Sequence, residues 1–143
     1  MKAVIWLRVA AGLALLHDVM HTIGGVFGSA APGAQQAAVT AMKLNRFVAM
    51  GVSRTYWDYF FGYGLFVTVY FAVQMVVLWQ LGTIVKTHAA LARPVIAALC
   101  LSNVATAVIA GKYFFAGPMV MELVMAGCLG VAWVLAGRQE RVA

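Results

Sequence analysis

A chain of 143 residues in which 64% of the side chains are hydrophobic and only 10% are charged lies far outside the composition of soluble domains, which average about 45–50% apolar. The net charge of +6 could point to nucleic acid, but the basic residues stand in ones and twos at the ends of apolar runs, as membrane anchors do. Composition therefore excludes a soluble enzyme and a nucleic-acid binder, and leaves one domain, residues 1–143, built in lipid. Each membrane-crossing helix needs about 20 apolar residues, so four fit with little chain left over.

The first helix is expected from about Ala3 to Phe27. Its basic start and apolar run resemble a signal peptide, and Ser29-Ala30-Ala31 lies at cleavage distance, but the run carries His17, Asp18 and His21, so it is read as a retained helix. Gly24, Gly25 and Gly28 break it. Pro32-Gly33 then opens an alanine-rich stretch, Ala34 to Met50, read as a helix lying in the membrane interface.

The second helix is expected to begin at Tyr56, because Thr55-x-x-Asp58 has the spacing of a capping box, and to run to about Val85. The third starts around Arg93-Pro94, where a proline tolerates its missing N–H, and ends at Gly111-Lys112. The fourth follows the Gly117-Pro118 turn and stops at Gly137-Arg138. The reading is an all-α, polytopic four-helix transmembrane bundle with an interfacial helix between helices 1 and 2.

In a four-span chain both termini and the connection between helices 2 and 3 share one side. That side holds Lys2, Arg8, Lys86, Arg93, Arg138 and Arg141, against Lys43, Arg46, Arg54 and Lys112 on the other. The excess places both termini in the cytoplasm of a bacterial inner-membrane protein. Cys100 and Cys128 sit in apolar runs and read as inert buried thiols.

This topology brings His17, Asp18, His21, Asp58, Lys112 and Glu122 toward one membrane depth. An ionisable residue within a span costs about 2.5–3.5 kcal/mol on insertion scales, so such groups face the bundle interior and pair with one another. His17 and His21 are four residues apart and share a helical face, with Asp18 three residues before His21. They can serve as acid–base groups, or as hydrogen-bonding glue between helices. His17, His21, Asp58 and Glu122 are the candidate catalytic residues.

Asp58 admits a plain account as a helix cap within an aromatic belt of Tyr56, Trp57 and Tyr59. The alternative is a pocket lined by those aromatics together with Asp18, Arg54, Tyr63, Asn103, Lys112 and Tyr113. Asn103 and Gln74 lie deeper and could extend a polar path. His-x-x-x-His is a recurrent two-ligand metal unit that Glu122 or Asp58 could complete. With no second histidine pair, however, no metal and no cofactor is expected, and two ligands on one helix cannot straddle a haem.

The string Ser53-Arg54-Thr55-Tyr56-Trp57-Asp58-Tyr59, with Gly62-x-Gly64 after it and Lys112-Tyr113-Phe114-Phe115-x-x-Pro118 later, resembles a family of small bacterial four-helix integral membrane proteins over most of the chain. The resemblance implies the four-span fold and carries no residue roles. In shape the architecture is also similar to the emopamil-binding or EXPERA proteins, which hold sterols among intramembrane acids, and to DoxX-like proteins.

The leading expectation is a pocket for a lipophilic small molecule, an isoprenoid, sterol-like lipid or quinone, with proton transfer such as isomerisation if it is an enzyme. A non-catalytic membrane subunit whose polar residues lock the bundle or dock a partner is the second, and a proton or ion pathway the third. Membrane lipids and further copies of the chain are the expected partners.

Overall fold

A computed structural model describes residues 2–140; Arg141, counted above for topology, lies outside them. In chain order the elements are α1 (Lys2–Met20), a π-helical segment (His21–Val26), α2 (Ala34–Leu44), a hairpin of β1 (Arg46–Ala49) and β2 (Val52–Thr55), α3 (Tyr56–Ile84), α4 (Ala89–Tyr113) and α5 (Ala116–Glu140). Four helical stretches are long and apolar enough to cross a membrane: Lys2–Val26, Tyr56–Ile84, Ala89–Tyr113 and Ala116–Arg138. The chain is an all-α membrane-embedded protein with one small antiparallel hairpin.

Two compact units divide the chain. One contains α1 as far as His17 and everything from Phe71 onward, and the other is Asp18–Tyr70.

In the first unit each helix buries one stripe at three- and four-residue spacing. On α1 it is Ala3, Leu7, Ala10, Ala14 and His17, on α3 Phe71, Gln74, Leu78 and Leu81, on α4 Ala92, Ile96, Asn103, Ala107 and Ala110, and on α5 Glu122, Met125, Leu129, Ala132 and Ala136. Alanines recur on α1, α4 and α5 because lipid supplies no hydrophobic drive between helices. Close backbone approach and van der Waals packing must hold them together, and small side chains permit both. Large apolar residues such as Ile5, Trp79, Leu101 and Val108 point outward instead, the arrangement expected where the solvent is acyl chain.

The ends of these helices meet as an alternating topology requires. Arg8, early on α1, lies 3.4 Å from the centre of the Trp79 ring and donates to Thr83 Oγ1 at 3.1 Å near the end of α3. Arg93, early on α4, stands 4.8 Å from the Trp133 ring late on α5. Cation–π contacts of this kind hold a guanidinium beside the interfacial aromatics.

Several boundaries differ from expectation. α4 begins at Ala89 rather than at Arg93-Pro94, because Ala89, Ala90, Leu91 and Ala92 are strong helix formers and Ala92 N–H already bonds His88 O at 3.1 Å. Pro94 is therefore inside the helix and forgoes one backbone bond near its start. α5 likewise begins at Ala116, with Pro118 in its first turn, and continues past Gly137-Arg138 to Glu140.

The larger correction is in the second unit, where the helix expected over Ala34–Met50 stops at Leu44. The Asn45 side chain donates to Ala41 O at 2.8 Å and its backbone N–H bonds the same oxygen at 3.0 Å. Arg46-Phe47-Val48-Ala49 then pairs with Val52-Ser53-Arg54-Thr55, with Arg46 opposite Thr55 and Ala49 opposite Val52. The two residues between them, Met50 and Gly51, have φ of 52° and 82°. Positive φ at both central positions is what a two-residue type I′ hairpin requires, and Gly51 supplies it without steric cost.

The hairpin feeds directly into α3. Thr55 N–H bonds Asp58 Oδ2 at 2.8 Å and Asp58 N–H bonds Thr55 Oγ1 at 3.0 Å, the reciprocal capping box that the spacing predicts. Asp58→Ala and Thr55→Ala are each expected to cost about 1 kcal/mol, read as a small fall in thermal midpoint in detergent with no change in helix content.

Candidate functional site

The second unit carries the more chemically organised site, and it begins with a change in helical winding. After Met20 the chain turns from α to π over His21–Val26, closed by Phe27 N–H on Thr22 O at 3.0 Å. π turns are rare and concentrate at functional sites, because the extra residue re-aims the side chains around it. Gly24 and Gly25 lower the local preference for continued α-helix. The first helix thus reaches about the length expected, but not as regular α-helix.

Within this stretch His21 is half-buried and its Nε2 lies 3.1 Å from Gly64 O on α3. A carbonyl only accepts, so Nε2 carries the proton, and in the neutral ring Nδ1 carries the lone pair. A Cβ at Gly64 would meet Val26 Cγ2 at 3.0 Å. The missing side chain is what lets α3 approach the π segment closely enough to receive the imidazole.

At the next residue, Thr22 Oγ1 donates to Asp18 Oδ1 at 3.3 Å and stands 2.8 Å from Thr68 Oγ1. A hydroxyl has one proton to give, so Thr68 donates to Thr22 while Thr22 donates to Asp18. The three side chains form a directed hydrogen-bond chain between the first helix and α3. Asp18 is half-buried.

Aromatic rings line the same unit. Phe27 meets Phe61 edge-on at 5.7 Å, Trp57 lies 5.6 Å from Phe60 and 6.2 Å from Phe61, and Tyr59 lies 6.3 Å from Tyr63. Phe47 of β1 packs between Tyr56 and Tyr59, at 4.8 and 4.9 Å, which fastens the hairpin to the first turn of α3. Asp58 is exposed and its hydrogen bonds with Thr55 form the capping box. Arg54 is exposed and donates to Ser53 O at 3.1 Å.

The other expected site residues belong to the first unit. His17 Nδ1 lies 3.5 Å from Glu122 Oε1, joining α1 to α5, and the Phe71 ring of α3 covers the imidazole at 4.3 Å. His17 is 7% exposed and Glu122 2%, so the pair is held out of solvent by the stripes on either side. Glu122 thus finds the cross-bundle histidine that its apolar neighbours on α5 could not provide.

Gln74 Nε2 donates to Asn103 Oδ1 at 3.2 Å and Asn103 Nδ2 donates to Leu99 O at 2.7 Å; both residues are buried. Each of the four helices therefore contributes one buried polar side chain to this unit, and the four form two pairs, α1 with α5 and α3 with α4. Replacing Asn103 with leucine is expected to cost about 1 kcal/mol, observable as a lowered unfolding midpoint in a detergent titration.

Lys112 and Tyr113 are exposed, with Lys112 Nζ 5.1 Å from the Tyr113 ring. Cys100, half-buried, donates from Sγ to Ala126 O at 3.3 Å, and Cys128 is buried; both are free thiols. Among the described residues no three His, Cys, Asp or Glu side chains gather closely enough to hold a metal ion.

The sequence singles out His17, Asp18, His21 and Glu122, and Gly64 as a glycine of close packing, but not the hydroxyls of Thr22 and Thr68, which complete the polar contacts around the π segment. The four-residue offset places Gly64 and Thr68 on one face of α3, a signal that is usable only once the partner helix is known. Comparison with known proteins finds no matching family model, no matching curated protein and no matching solved structure.

Proposed function

We propose that this protein binds a lipophilic small molecule, an isoprenoid, sterol-like lipid or quinone, in the unit formed by Asp18–Tyr70, with the polar end of the ligand addressed by His21. The observation that carries the reading is the π turn at His21–Val26. It interrupts a membrane-crossing helix where a half-buried imidazole, the Thr68–Thr22–Asp18 chain and a wall of aromatic rings occur together. A few polar groups among apolar and aromatic side chains are what such ligands need for orientation.

Should the bound molecule react, proton transfer is the chemistry these groups offer. An imidazole with a fixed tautomer can take a proton at one nitrogen, and a carboxylate hydrogen-bonded to one hydroxyl can accept one. Isomerisation of a polyene or of a cyclic lipid needs no more than this. Asp58, serving the capping box, and His17 and Glu122, buried against each other, are assigned structural tasks in this reading.

The buried pairs of the first unit favour a second role beside the first. One polar side chain per helix, paired two by two among alanine stripes, suits a lock that fixes which helices adjoin, since a polar group in hydrocarbon is costly without its partner. The alternative of a non-catalytic membrane subunit rests on these residues alone. A proton pathway would use the same groups.

Organic extraction of the detergent-purified protein tests the proposal. The expected result is one lipophilic species in near-stoichiometric amount, distinct from bulk phospholipid. Recovery of bulk phospholipids alone, from protein purified in mild detergent, would count against a ligand site and favour the subunit reading.

A further inference from the structure

The hairpin brings two guanidinium groups to one backbone oxygen. Arg46 Nε donates to Ser53 Oγ at 3.1 Å and its Nη2 to Ser53 O at 3.5 Å, while Arg54 Nη1 donates to that same carbonyl oxygen at 3.1 Å. Two guanidinium groups therefore share one oxygen atom. Among the described residues no carboxylate comes within ion-pair distance of either; the Asp58 carboxylate attracts both from farther off, and its Oδ2 is taken by the Thr55 N–H.

Like charges held this close repel unless an anion lies between them, and paired guanidinium forks match the oxygens of a phosphate. Ser53 Oγ already accepts from Arg46, so its own proton is directed elsewhere and adds a further donor. A third cation, Lys43 Nζ, lies 4.8 Å from the Trp57 ring.

The chain's path says which phosphate is at hand. β2 ends at Thr55 and the membrane-crossing helix starts at Tyr56, so the hairpin emerges at the bilayer surface, in the layer of headgroups. Its apolar side chains point outward as well: Val48 is 72% exposed, Met50 fully exposed and Val52 about half. Basic groups beside exposed apolar ones are the composition of a segment seated between headgroup and acyl chain, and a site for phosphate from solution has no use for the apolar part.

We propose that Arg46 and Arg54, converging on Ser53, bind the phosphate of an anionic phospholipid headgroup, with Val48, Met50 and Val52 seated in the adjoining acyl boundary. This site is separate from the lipophilic ligand proposed for His21 and stands or falls independently of it.

Native mass spectrometry from micelles doped with phosphatidylglycerol, phosphatidylcholine or inorganic phosphate tests the assignment. Wild type is expected to retain phosphatidylglycerol in preference to phosphatidylcholine, and the Arg46→Gln, Arg54→Gln double variant to lose that retention by about tenfold. Both side chains are exposed; Arg46 also ties β1 to Ser53 of β2, so the single variant Arg54→Gln, which gives up only a bond to its neighbour's carbonyl, is the arm that leaves the hairpin intact, and it is expected to lose about threefold. Lys86→Gln, an exposed cation on the other unit, should behave as wild type. Unchanged retention in both arginine variants, equal retention of the two lipids, or displacement of the lipid by inorganic phosphate would each overturn the proposal.

Discussion

Replacing Glu122 with alanine is expected to destabilise the protein by about 3–5 kcal/mol, the cost of removing one partner from a buried polar pair. The residue is 2% exposed, and its carboxylate faces His17 Nδ1 at 3.5 Å. Without it the imidazole loses its contact with α5, and the truncated side chain leaves a cavity in the buried stripe. Glu122→Gln keeps the volume and a hydrogen-bonding group and is expected to cost much less. The His17→Leu, Glu122→Leu double variant removes the polar demand from both sides and is expected to be more stable than either single leucine variant, since apolar replacements of whole buried pairs are often well tolerated. Reversible unfolding in mixed micelles, run as a double-mutant cycle, measures the coupling. Strictly additive losses would show that the two side chains do not act as a pair.

The second large effect concerns the end of the π segment. A Cβ on Gly28 would fall within the van der Waals radius of the Gly24 carbonyl oxygen, and since that oxygen is backbone, it cannot swing away as a flexible side chain could. Gly28→Ala is therefore expected to cost about 1–3 kcal/mol and to disturb the turn that sets His21 against Gly64. Gly24→Ala is the matched control, because nothing lies within 4 Å of a Cβ placed there; it should be close to neutral. Equal effects at the two glycines would mean that the geometry at Gly28 is not what constrains this turn.

Much of this fold was legible in composition and spacing. Four apolar runs with basic ends gave the spans to within a few residues, and Thr55-x-x-Asp58 gave the capping box, because a reciprocal cap depends only on neighbours in sequence. Proline misled at Arg93-Pro94, where the helix-forming strength of Ala89 to Ala92 outweighs one lost backbone bond. The hairpin hid inside an alanine-rich helix-prone stretch. Its signal was the change at Asn45 from helix formers to β-branched and aromatic residues around Met50-Gly51, a short pattern that the length of the preceding run masked.

The polar residues were legible as individuals but not as partners. Their cost in lipid singled out His17, Asp18, His21 and Glu122, yet periodicity along one helix says nothing about which neighbour it meets. His17 and Asp18 are consecutive, and the structure assigns them to different tasks: His17 to the cross-bundle contact with Glu122, Asp18 to the hydroxyl chain with Thr22 and Thr68. The π turn that follows was not legible at all, because a local rewinding leaves no periodic trace over six residues. Its glycines read equally well as a helix end.

The central claim is that ligand binding belongs to the π-turn site and the buried pairs belong to the bundle. Native mass spectrometry of wild type, His21→Ala and Glu122→Gln, scored for a lipophilic adduct, tests it most directly. An adduct is expected on wild type and on Glu122→Gln, and its loss from His21→Ala while that variant stays folded. An adduct that survives His21→Ala but disappears with Glu122→Gln would contradict it and move the site to the His17–Glu122 pair.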